Sequence, residues 1–398
     1  MTTHLAWLAL AVLLGAEGCG GRVLEDPAPG APGDGPSSDA ASDRSPPPPG
    51  CISREGAGVR LGTGFELLRE HRQPSALALR EGGGLLIGSP LPEPNVSVVS
   101  ETGQIASGGS VQLPDAEPSG LFELSPKGDG FLAGPFVYDD LGSLTGVIAE
   151  PLVDAGAGAL LSNTFSASGR TVVASWGTVG LEHDMPLAIT VVDRAGRTLA
   201  SFAADISRAA VPRTDDSVLG VSSAGVGRWS LDGRVEWSVP APNPQNLAIS
   251  ADGQNAVTID SLGTLTHIER GAIVSSTDVP TSTYHVAMAP GGRWSAAGLS
   301  QPPSVRTFEA GVPARTVDLD FTHVDALAID DRGEVLVSAG DWSSTASIVM
   351  LEADGSLAFR CTRSGGDAPY VDAAILAQDG AALGVLWLDR VQYARLER

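Results

Sequence analysis

Lysine is almost missing from this chain. Of its 25 Lys and Arg residues only Lys127 is a lysine, and 47 Asp and Glu oppose them, for a formal net charge of −22. A chain this negative repels phosphate backbones, which excludes nucleic acid as a partner. Cysteine is scarce as well: three residues are too few for a disulfide-dense scaffold. No internal apolar run approaches the ~20 residues of a membrane-spanning helix. Runs of strong helix formers are few beside 49 Gly and 28 Pro, which disfavours a helical bundle. Motifs of catalysis are wanting too. There is no HExxH, CxxC or P-loop, and Gly220-Val221-Ser222-Ser223-Ala224 lacks the last glycine of a nucleophile elbow. The six histidines (His4, His71, His183, His267, His285 and His323) have no metal-ligand spacing. What is present is 42% hydrophobic residues, enough to bury a sizeable core.

The N-terminus reads as an export signal over residues 1–18. Leu5 to Leu14 is an apolar run of about ten residues, which fits a signal-peptide core better than a membrane span. Ala16-Glu17-Gly18-Cys19 follows and resembles the lipobox of bacterial lipoproteins, which implies acylation of Cys19 after cleavage. Ordinary cleavage nearby is the alternative. Gly20 rather than Asp follows the cysteine, and the resemblance then implies an outer-membrane lipoprotein, facing the periplasm or the surface. Residues 19–50 are rich in Pro, Gly, Ser, Ala and Asp and end in Pro46-Pro47-Pro48-Pro49. With almost nothing to bury, they are expected to be a disordered tether between anchor and domain.

From about residue 75 one phrase recurs: an alternating apolar strand, a polar turn with Gly, and a further strand. Its first turn appears as Arg80-Glu81-Gly82-Gly83, Ser125-Pro126-Lys127-Gly128 and Ser166-Ala167-Ser168-Gly169, then in degenerate form as Pro212-Arg213-Thr214-Asp215. It returns as Ser250-Ala251-Asp252-Gly253, Ala289-Pro290-Gly291-Gly292, Asp330-Asp331-Arg332-Gly333 and Ala377-Gln378-Asp379-Gly380. Second turns such as Asp232-Gly233 and Asp354-Gly355 interleave. Such turns between alternating strands are hairpin signals, because Gly supplies positive φ at little cost. A period near 40 residues with four short strands per unit predicts an all-β fold, a β-propeller over residues 51–398. The phrase resembles the WD40-like and quinoprotein-like propellers, although it repeats neither a Trp-Asp dipeptide nor a docking motif. Eight blades are counted; seven stays open because the fourth unit is poor.

The last unit is short of a strand, and Gly64 to His71 is expected to supply it, closing the ring by pairing first and last segments. Cys51 and Cys361 flank that closure. With Cys19 acylated they are the remaining cysteines, and a disulfide between them is expected in an oxidising compartment; two free thiols are the alternative.

Residues just before each innermost strand ring one mouth of a propeller channel. Here those positions carry Gln245 and Asn246, Tyr284 and His285, His323 and Asp325, and Tyr370 and Asp372. Polar and aromatic groups at equivalent points suit a small ligand or peptide; a wet, unoccupied mouth is the alternative. Trp176, Trp342 and Trp387 are expected to fill interblade wedges. Asp139-Asp140, Asp215-Asp216 and Asp330-Asp331 are read as solvated turn formers rather than calcium ligands. The sequence thus points to a monomeric, anchored, non-catalytic binding or scaffold module for an envelope protein or extracellular ligand. No cofactor or metal is expected, and contact with the membrane is through the lipid alone. The alternative is a propeller enzyme, a calcium-dependent lactonase or a quinoprotein dehydrogenase working at the channel mouth.

Overall fold

Short apolar strands joined by Gly turns have one economical solution: each hairpin pair makes a small antiparallel sheet whose two faces are covered by the next sheets. The computed structural model describes residues 51–398 except 69–75, 81–82, 90–94, 107–121, 152–158, 179–184, 207, 223, 242–243, 281–284, 301, 342–344, 365–370, 378–379 and 388–389. The signal, Cys19 and the tether lie outside the described residues. The rest is an eight-bladed β-propeller. Blades 1 to 6 are four consecutive strands each, over 76–106, 122–147, 159–203, 208–240, 244–278 and 285–318. The first strand of each blade packs against the first strands of its neighbours, or against the strand beside them, and this inner ring closes from blade 8 to blade 1.

Burial follows position in the blade. In blade 7 the two middle strands, Val335–Asp341 and Thr345–Leu351, are buried along almost their whole length and read VLVSAGD and TASIVML. The outer strand of blade 6, Val312–Asp318, is exposed at nearly every residue. The core is therefore a set of interblade layers. One joins Leu132, Val137 and Ile148 of blade 2 to Val172, Ala174 and Trp176 of blade 3. Another joins Met350 and Phe359 of blade 7 to Leu383, Val385 and Trp387 of blade 8. Trp176 and Trp387 are both wedge fillers, and Trp387 donates its indole N–H to Gln392 at 3.3 Å. Trp342 lies outside the described residues.

Closure uses more of the N-terminal segment than the sequence indicated. Arg60–Leu68, rather than a strand beginning at Gly64, pairs with Arg390–Glu397 as the outermost strand of blade 8. Before it, Cys51–Ser53 adds a fifth strand to blade 7, with Cys51 directly opposite Cys361 and a disulfide between them. The first and last segments thus hold both blades that flank the seam.

The fourth blade is complete, and its weak signature has a local cause. The first turn of a blade needs positive φ at its fourth position, where the preceding blade also lies close. At Gly333, φ is +84° and an added Cβ would stand 2.8 Å from the Trp294 indole of blade 6. In blade 4 that position is Asp215, at φ +56°. Asp tolerates this region better than most residues, and here it gains partners. Its carboxylate accepts hydrogen bonds from Ser168 Oγ (2.6 Å) and Thr171 Oγ1 (2.7 Å) of blade 3.

Candidate functional site

Because every blade repeats the same strand order, all inner strands begin at one mouth of the channel and end at the other. At the first mouth, His285 and His323 open the inner strands of blades 6 and 7, and Asn246 lies near the start of that of blade 5. Asp372 is the second residue of the blade 8 inner strand. Tyr284 and Tyr370 lie outside the described residues.

These positions are not equivalent in environment. His323 is buried, and its Nε2 meets Asp325 Oδ1 at 3.0 Å. The strand bulges between Val324 and Ala326, which allows Asp325 to turn back onto the ring. Thr322 Oγ1 donates to the Gly340 carbonyl (2.9 Å) and so presents a lone pair to His323 Nδ1 at 3.1 Å. Contacts at both ring nitrogens hold the imidazole in one orientation. Burial pushes the Asp325 carboxyl up to about 6, opposed by the attraction of His323. Burial also pushes His285 down from the usual histidine range. Asn246 turns its side-chain oxygen to the Leu247 amide (3.1 Å), and its carbonyl accepts from Thr258 Oγ1 (2.7 Å). The arrangement is a buried, mutually bonded His–Asp pair in blade 7, at a mouth that also carries the half-buried His285 of blade 6 and Asn246 of blade 5.

The paired aspartates serve the scaffold. Asp139 accepts from the Leu141 and Ser143 amides within its turn. Asp330 departs from the expectation of a solvated turn former: it is 1% exposed, caps the Arg332 and Glu334 amides, and takes Arg398 as ion partner. Among the described residues no cluster of three or more His, Cys, Asp or Glu is arranged to hold a metal.

The opposite mouth, formed by the first turns, carries a cavity of 990 Å³. Its apolar walls come from Leu77 and Leu79 of blade 1, Leu124 of blade 2, and Ile375, Leu376 and Leu396 of blade 8. Arg80, Lys127 and Arg213 stand on its turns. The other turns are stitched together. Ala167 N–H donates to Val211, Arg213 N–H to Ala251, Ala251 N–H to Pro290, and Gly291 N–H to the Asp331 carboxylate, an arc from blade 3 to blade 7. Alignment of the first turns puts cations on blades 1, 2, 4 and 7: Arg80, the lone lysine Lys127, Arg213 and Arg332.

Comparison of folds finds the crystal structure of the C-terminal WD40 domain of Sif2 similar to this chain, with a TM-score of 0.60 and 12% identity, over 85% of this chain and 99% of that one. At that identity the likeness establishes the propeller fold alone. No family model and no curated protein sequence matches the chain.

Proposed function

We propose that this protein is an exported, lipid-anchored propeller that binds an envelope protein or extracellular ligand without catalysing a reaction. The observation that carries the reading is the closed eight-bladed ring, whose sheet edges at the seam are taken up by pairing of the first and last segments. Such a disc is a rigid platform that presents loops and a channel mouth to a partner. The Cys51–Cys361 disulfide supports an oxidising compartment. The lipobox-like Cys19 and the Pro-rich segment behind it support an anchor on a tether, at the outer membrane. The net charge of −22 favours a basic partner surface and resists self-association. The His323–Asp325 mouth is the proposed contact point.

The test is expression of the full chain in a double-membrane bacterium, followed by fractionation and intact mass measurement. Acylated protein in the outer membrane and release of the Cys19→Ala variant to the soluble fraction are expected. Cross-linking in intact cells should give one dominant adduct whose yield falls in the Asp325→Asn variant. Protein that lacks lipid, or an adduct pattern that Asp325→Asn leaves unchanged, overturns the corresponding half of the reading. A co-purifying calcium ion or quinone would favour the enzymatic alternative.

A further inference from the structure

We infer that the Cys51–Cys361 disulfide is a tension latch, which carries a pull on the N-terminal tether into blade 7 and keeps it off the strand that closes the ring. The inference rests on the reading of residues 19–50 as a tether to the membrane, because a domain held by one chain end is pulled through that end.

Chain order sets the mechanical problem. The tether joins the propeller at Cys51, and the strand that begins there, Cys51–Ser53, is three residues long and lies at the outer edge of blade 7. Its Ile52 is 71% exposed. Next in the chain is Arg60–Leu68, the outermost strand of blade 8. Both are edge strands, paired on one side. Pulled from the tether alone, they would come away in order, one residue pair at a time: Cys51 from Cys361, Ile52 from Arg360, Ser53 from Phe359, then Arg60 from Glu397. Force that falls on one pair at a time breaks a ladder more easily than force shared along it. Loss of Arg60–Leu68 would undo the closure and bare the edge of Arg390–Glu397.

The disulfide takes both strands out of the path. A pull on Cys51 passes through its sulfur to Cys361, and residues 52–68 then carry no tension. Cys361 is 3% exposed. Its strand, Leu357–Ser364, is paired on both sides, with Cys51–Ser53 and along the whole of Thr345–Leu351. It also belongs to the core layer of Ile348, Met350 and Phe359 with Leu383 and Val385 of blade 8. Tension that enters there is shared by a bonded row and a packed layer.

The turn between the two edge strands is secured separately. The Arg54 amide donates to the Ala358 carbonyl (2.9 Å), and its guanidinium pairs with Glu352, which also accepts from the Gly58 amide. Ala57 and Val59 are buried in the same core layer. All of these contacts lie beyond Cys51 in the chain, so the bond shields them and Arg60–Leu68 stays seated.

The test is the pulling of single molecules of the chain from residue 19 onward, with Cys19→Ala so that Cys51 and Cys361 are its only cysteines. One handle is placed at the N-terminus and the other at Asp232, exposed on the second turn of blade 4. The oxidised protein should resist without an early step. After reduction, and in Cys361→Ala, a low-force step should come first and release about 60 Å, the length of residues 51–68 at ~3.3–3.6 Å each. Handles at the exposed Leu141 of blade 2 and at Asp232 bypass the tether, and the step should be missing there in both redox states. An early step of this length in the oxidised protein, none in the reduced protein, or the same step with the second pair of handles overturns the latch. The instrument supplies the pull, so the result is independent of acylation at Cys19, and the two proposals fail separately.

Discussion

Cys51 and Cys361 sit directly opposite each other on antiparallel strands, and the disulfide between them spans 310 residues of sequence. The bond fixes the first strand to the outside of blade 7, and a few residues later the chain becomes the outermost strand of blade 8. Arg54 reinforces the junction: its amide donates to the Ala358 carbonyl (2.9 Å) and its guanidinium pairs with Glu352. Reduction should therefore loosen the seam first. A bridge over so long a loop restricts the unfolded chain by an amount on the order of 4 kcal/mol. Thermal unfolding with and without reductant checks this; the reduced protein and Cys361→Ala should both melt several degrees lower, and equal melting temperatures would show that the bridge contributes nothing.

Asp215 should prove better than glycine at its own turn. It accepts the positive φ and bonds both Ser168 and Thr171 of the neighbouring blade. Asp215→Gly keeps the backbone and loses the bonds, at a cost of about 1–2 kcal/mol. Asp215→Ala loses the bonds and adds strain of about 1 kcal/mol. Denaturant midpoints in the order wild type, Gly, Ala are expected; a Gly variant as stable as wild type would deny the bonds any role.

Burial of carboxylates gives the fold a definite pH dependence. Glu123 accepts from Thr164 Oγ1 (2.7 Å) and the Phe165 amide (3.2 Å), and burial nonetheless pushes its pKa up to about 7. A glutamate in the unfolded chain ionises near 4.5. The native state therefore holds the proton longer, so the stabilising contribution is complete below pH 4.5 and is lost as pH rises through 7. Asp325 acts in the same sense. His267 acts in the opposite one: burial depresses it to about 4, so its contribution is present above 6.5 and lost as pH falls through 4. Between pH 5 and 8 the Glu123→Gln variant should lose less stability than wild type, by about 1–2 kcal/mol. Melting curves across that range decide it.

Arg398 holds the buried acidic corner between blades 7 and 8. It stands 3.2 Å from Asp330 and 2.7 Å from Glu334, and donates to the Gly380 carbonyl at 2.8 Å. Burial and then the neighbouring Asp330 charge push Glu334 up to about 8. Arg398→Ala leaves these carboxylates without the cation, a loss expected at about 2–4 kcal/mol near neutral pH. The loss should be larger above pH 8, where Glu334 is ionised, than at neutral pH, where it holds its proton. A pH-independent effect in unfolding titrations would assign the role of Arg398 to packing instead.

The recurrence of Gly turns between short apolar strands determined the all-β class and the propeller and favoured eight units over seven, because positive φ and two-residue alternation are local demands that the chain must write into its own residues. The unsatisfied last unit and the paired cysteines at either end made the closure legible for the same reason. The sequence did not show that Cys51–Ser53 would become a fifth strand, that Asp215 replaces a turn glycine by bonding the previous blade, or that His323 would be buried against Asp325 rather than open to the channel. Nor did it show a cavity over blades 8, 1 and 2. Each of these depends on which side chains from different blades meet, a matter of distances across the ring rather than along the chain. Only the closed tertiary structure sets those distances.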